Sequence, residues 1–114
     1  MIMNSHDRRI ALRLANLAPD TPVCVWGRSP DAVSVGRANG HPCRFVRVDH
    51  DEGSLHLDSQ REPDLPSAVV PLIFVQALWR VDNAWNIAID GDVFLLDSAG
   101  RTGFQPPMPA YRQR

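Results

Sequence analysis

The feature that most constrains this chain is a recurring one. Short segments alternate apolar and polar residues, and breaks rich in Gly, Pro and Asp separate them. A period of two is the signature of a strand with one buried face, and strands repeated about every 8–12 residues point to a sandwich, barrel or strongly bent sheet. Val23 and Val25 alternate within 22–27, and Val33 and Val35 within 32–36. Gly40-His41-Pro42 is read as a break. Residues 43–49 then alternate, and Asp51-Glu52-Gly53 turns the chain into 54–58, where Leu55 and Leu57 share a face. Two alternating runs across a short Gly turn predict a hairpin. A polar loop over 59–67 precedes the most apolar stretch, 69–81, read as one long central strand. Asp82-Asn83 is a turn; Trp85, Ile87 and Ile89 then alternate. Asp90-Gly91 carries the composition of a two-residue hairpin turn leading into 92–97.

One helix precedes these strands, over 5–18. Ile10, Leu14 and Leu17 fall on one face, widened by Ala11 and Leu12, and Pro19-Asp20 stops it. Composition agrees with a β-rich body. All 12 basic residues are Arg, and Asp supplies 11 of the 13 acids, so the helix formers Lys and Glu are nearly absent. The fold class expected is mainly β: a small antiparallel β-barrel or strongly bent sheet with one N-terminal α-helix. Residues 1–97 form a single domain, and 98–114 an extended Pro-containing tail.

A net charge of -1 gives no basic field, so DNA binding is not expected. No apolar run reaches the length of a membrane span, and the first residues lack the apolar core of a signal peptide. A cytoplasmic chain is expected, with Cys24 and Cys43 as free, mostly buried thiols. No serine or cysteine stands in a nucleophile motif. His41, Cys43, His50, Asp51 and His56 have the right chemistry for zinc but not the paired short spacings of a zinc site, so no metal and no cofactor is expected.

Three groups remain as candidate contact residues. Arg8, Arg9 and Arg13 cluster on the helix, and guanidinium forks suit phosphate oxygens. Trp79 and Trp85 flank the Asp82-Asn83 turn and could meet across it as an exposed pair. Asp49, Asp51 and Glu52, with the acids at 62 and 64, could form an acidic contact surface.

The order of the leucine-periodic helix, TPVCVWG, CRFVRVDHDEGSLHLD and PLIFVQALW resembles the amino-terminal domain of flagellar brake proteins, in the PilZ group. The likeness spans about residues 10–80. PilZ proteins bind cyclic di-GMP through R-x-x-x-R and D/N-x-S-x-x-G motifs. Arg9-Ile-Ala-Leu-Arg13 matches the first. Asp51-Glu52-Gly53-Ser54 lies where the second would fall, with one residue too many and Leu57 in place of the glycine. The resemblance implies a PilZ-related barrel and, through Arg9 and Arg13, phosphate contacts to cyclic di-GMP. A rival resemblance is to Sm-like barrels. VRVDHDEGSLHLD is similar to their first motif and Ile89-Asp90-Gly91-Asp92-Val93 to their second, with Asp90 where an RNA-contacting Arg would stand. The expected function is a non-catalytic binding or regulatory module, cyclic di-GMP-linked. The alternative is a protein-interaction module of the inhibitor or immunity type used by bacteria and phages.

Overall fold

The computed structural model describes residues 5–27, 39–60, 64, 66–95 and 102–106. Helix α1 (Ser5–Ala15) is followed by strands β1 (Pro22–Gly27), β2 (Asn39–Asp49), β3 (Ser54–Ser59) and β4 (Ala68–Pro71). A single 3-10 turn (Leu72–Phe74) leads to β5 (Val75–Val81), β6 (Ala84–Ile89), β7 (Asp92–Leu95) and β8 (Thr102–Gln105). The chain is mainly β with one helix, as the alternation predicts. The strand expected over 32–36 lies outside the described residues.

Six strands form one sheet in the order β4-β3-β2-β1-β6-β5. The expected antiparallel pattern is corrected at one joint: β1 runs parallel to β6, with Val23 opposite Trp85 and Val25 opposite Ile87. The sheet is also strongly bent. Six flat strands would hold β4 and β5 about 24 Å apart at the usual spacing of roughly 4.8 Å. Yet these two edges are consecutive in the chain and joined by Leu72–Phe74 alone, a link of about 14 Å at full stretch. The sheet must therefore curl until its edges approach. Register shifts at Phe45/Arg47 and Val75/Ala77 lie in strands that bend. The curl stops short of a closed barrel, because β4 and β5 do not pair.

The core fills the inner face. Leu14, Val25, Cys43, Leu55, Leu57, Leu72, Ile87 and Val93 are fully buried there. α1 packs on β2, β5 and the 3-10 turn, and brings Ile10, Ala11, Leu14 and Leu17 inward. Leu12 departs from the expected stripe and is 66% exposed. At 100° per residue it stands nearly opposite Ile10.

Four local expectations are corrected. The helix ends at Ala15, its last carbonyls bound by Asn16 and Leu17 amides at i−3 spacing. The run 69–81 is not one central strand. Pro71 (φ −60, ψ 136) ends β4, the 3-10 turn follows, and the two halves become the opposite edges of the sheet. Gly40-His41-Pro42 lies inside β2. Phe45 exchanges backbone bonds with Asp20 and Thr21 on the β1 side, so alternation aims Pro42 the other way. Pairing with β3 begins only at Cys43, and the missing proline N–H costs no ladder bond there.

The fourth correction is the hairpin expected at Asp90-Gly91. β6 pairs with β1 and β5, not with β7. The chain leaves the sheet at Gly91 (φ +139), and β7 pairs instead with β8, drawn from the stretch expected as a tail. This ribbon lies against β4, with β7 also touching β1 and β2. Val93 is buried, and Phe104 packs on Phe74 with ring centroids 5.2 Å apart.

Candidate functional site

The sheet's outer face carries a row of aromatic and amide groups. Burial alternates along β1, so Val23 and Val25 point inward and Cys24 and Trp26 outward. Register then brings neighbours onto the same face. Asn86 of β6 stands opposite Cys24 across the parallel joint and opposite Trp79 across the antiparallel one. The Trp26 indole Nε1–H donates to Asn86 Oδ1 at 3.0 Å, and Asn86 Nδ2 donates to the Ala84 carbonyl at 3.1 Å. The six-membered ring of Trp26 lies over Gly40. A Cβ added at Gly40 would stand 2.9 Å from Trp26 Cζ3, so the strand opposite is kept bare for the ring. Trp26 and Trp79 remain 37% and 36% exposed. Two tryptophans left in water on a sheet face, one of them fixed by a hydrogen bond, form a surface suited to a partner.

Beside this face, at the end where β1 and β6 begin, is an open cleft of about 530 Å³. Its origin is the parallel joint. The chain reaches β1 from α1 and reaches β6 from β5, so the two approaches diverge and leave a gap. Pro22, Val23, Pro42 and Trp85 supply apolar wall, and Arg80 and Asn83 polar rim. Arg80 lies over the Trp85 ring, its Cζ 5.4 Å from the centroid.

The residues singled out from the sequence are spread over the molecule. Arg8, Arg9 and Arg13 are exposed on α1, on the side away from the core. Trp79 and Trp85 are not brought together. Trp79 pairs with Asn86 and Trp85 with Arg80, positions one residue apart in register, so they project from opposite faces of the sheet. Asp49 has a local task. Its Oδ1 accepts from the Asp51 and Glu52 backbone amides at 3.0 and 3.1 Å, and its Oδ2 from Arg47 Nη1 at 3.2 Å. The Glu52 amide, with Arg47, holds the Asp49 carboxyl below its ordinary value. Asp51 and Glu52 are exposed at the turn tip.

Both cysteines are free thiols. Cys24 lies opposite Pro42 and Cys43 opposite Val23, so the two side chains leave different faces. Burial pushes the Cys43 thiol up to about 12, and the neighbouring Cys24 adds to the shift. Burial also raises Cys24, partly offset by a backbone hydrogen bond at His41. Among the described residues, no three His, Cys, Asp or Glu side chains gather as a metal site would need. Among the described residues, no helix is long and apolar enough to cross a membrane.

Trp26, Asn86 and Arg80 were not legible as site residues. Trp26 reads as an ordinary strand aromatic, and only pairing across sixty positions brings Asn86 beneath it. Comparison with protein-family models, with curated proteins and with solved structures finds no match for this chain.

Proposed function

We propose that this domain is a non-catalytic binding module, and that it engages a protein partner through the tryptophan row on its outer sheet face. The observation that carries the reading is Trp26, spread over Gly40, tied to Asn86 and still over a third exposed. An aromatic held in place loses little further freedom on binding, and such anchors dominate protein interfaces. The acidic turn at Asp51 and Glu52 belongs to another part of the surface and is not needed for this contact. The test compares immobilised wild-type protein with Trp79→Ser and Trp26→Ser variants of matched folded content. A partner retained by the wild type and lost by at least about tenfold in both variants supports the reading, since hot-spot residues contribute about 2 kcal/mol or more. Equal retention by all three overturns it.

A second reading, a PilZ-related regulator linked to cyclic di-GMP, draws on one observation. α1, which carries Arg9 and Arg13, packs on the 3-10 turn, and Leu72 of that turn donates its amide to the Gly53 carbonyl at 2.8 Å. The two segments that resemble PilZ motifs thus border the same turn. Titration with cyclic di-GMP at physiological salt separates the readings. Binding weakened about tenfold or more by Arg9→Ala with Arg13→Ala favours the nucleotide. The absence of heat or chemical-shift change at millimolar excess retires it.

A further inference from the structure

Among the described residues, the cleft at the start of β1 and β6 holds a cation without an anion. The Arg80 guanidinium is laid over Trp85, and its Nη2 donates to Asn83 Oδ1 at 3.1 Å. Asn83 is fixed in turn, because Asp82 and Asn83 close the β5–β6 hairpin with positive φ of 50 and 66. That is the left-handed pair a tight two-residue turn requires. Among the described residues no carboxylate pairs with Arg80, and no Asp or Glu lines the cleft. The neutral amide takes one N–H and leaves the others, with the full positive charge, at the rim. Behind them stand Pro22, Val23, Pro42 and the Trp85 ring.

We propose that this cleft binds a small organic anion: one carboxylate on an apolar body, with Arg80 as its counter-ion. The volume of about 530 Å³ lies within the range of small-molecule sites. A single guanidinium balances a single negative charge. Its planar fork takes a carboxylate in two parallel hydrogen bonds, and the ring beneath holds the fork in orientation. The apolar walls take the body of the ligand, and Cys24, half-buried, is a neutral neighbour that ligand would cover. This site is separate from the Trp26–Asn86–Trp79 row, and either can hold without the other.

The test uses 4-phenylbutyrate and its uncharged counterpart, 4-phenylbutan-1-ol, titrated to about 10 mM while backbone and indole resonances are followed. The acid is expected to shift the Trp85 indole and the amides of Val23, Cys24, Asn83 and Ala84. It should bind about fivefold more tightly than the alcohol, the scale of one solvent-accessible charge pair. Arg80→Met keeps the apolar stem over Trp85 and should erase that preference. Arg80→Lys, with a charge but no fork, should retain part of it. Trp26→Ser and Trp79→Ser should leave it unchanged. Equal shifts from acid and alcohol overturn the proposal, as do shifts centred on Trp26 or none at all. So does a preference that survives Arg80→Met in a variant whose spectrum shows it folded.

Discussion

Gly91→Ala should be among the most damaging single-methyl changes in this protein, and the structure says by how much. Two terms act. At φ +139 an L side chain is strained, which costs about 1–3 kcal/mol. In addition, the new Cβ would lie 2.5 Å from the Gln105 carbonyl oxygen and 2.7 Å from Phe104 Cε1. The carbonyl belongs to β8 backbone, so relief means moving β8 off β7. That loosens Phe104 from Phe74, a tilted aromatic contact worth about 0.5–1.5 kcal/mol beyond the area it buries. Together these give about 1.5–4.5 kcal/mol, a large share of a domain stability of roughly 5–15 kcal/mol. At about 4 °C per kcal/mol for this length, Tm should fall by about 6–18 °C. Gly103→Ala is the control. Its φ is +149, but a Cβ there meets nothing within 4 Å, so it carries the backbone term alone. Thermal unfolding of both variants, followed by circular dichroism, should place Gly91→Ala about 1 kcal/mol below Gly103→Ala. Equal losses in the two, within about 0.5 kcal/mol, would refute the close approach of β8 to Gly91.

Leu14→Ala removes a fully buried side chain between α1 and the sheet and should cost about 2–5 kcal/mol in urea unfolding. Asp49 titrates below its ordinary value of 3.8 in the folded chain. Its stabilisation is therefore complete above that pH and is lost as pH falls below it. Asp49→Ala should flatten the acid limb of a stability–pH curve, and an unchanged limb would count against the turn's role. Cys43 has the opposite sign. With an ordinary value of 9.0 and a folded value of about 12, its stabilisation is complete below 9.0 and falls as pH rises between the two. Cys43→Ala should remove that alkaline loss. In a thiol-reagent time course at neutral pH, Cys24 should react before Cys43, which is accessible only on unfolding. Simultaneous reaction would contradict the alternation of β1 and β2.

Much of the local structure was legible because local chemistry writes it. Leu55 and Leu57 alternate beyond a glycine turn, and β2–β3 is the hairpin that pattern predicts. Misreadings arose where one residue type serves two purposes. Gly91 and Gly40 both look like chain breakers. Each is small because something lies close to it, β8 in one case and the Trp26 ring in the other. Pro71 sits inside an apolar run that reads as strand throughout, although this proline, at φ −60, is where β4 gives way to the 3-10 turn. The parallel joint leaves no local mark. Val23 and Trp85 meet only in the finished sheet, and with them go the Trp26–Asn86 bond and the cleft.

That joint also governs how the sheet is assembled. β2, β3 and β4 are successive and pair in sequence, and β5 pairs with β6 across a two-residue turn. Both pieces can form from short-range encounters, on timescales of microseconds. β1 alone unites them, by its antiparallel contact with β2 on one side and its parallel contact with β6 on the other. The second contact closes a loop of some sixty residues, and its entropy must be met before any of its hydrogen bonds repay it. On a ribosome, β1 emerges first and waits for β6 with one backbone edge unpaired. That interval is when another nascent strand can take β6's place, so the strand at the centre of the finished sheet is the one most exposed to mispairing during synthesis.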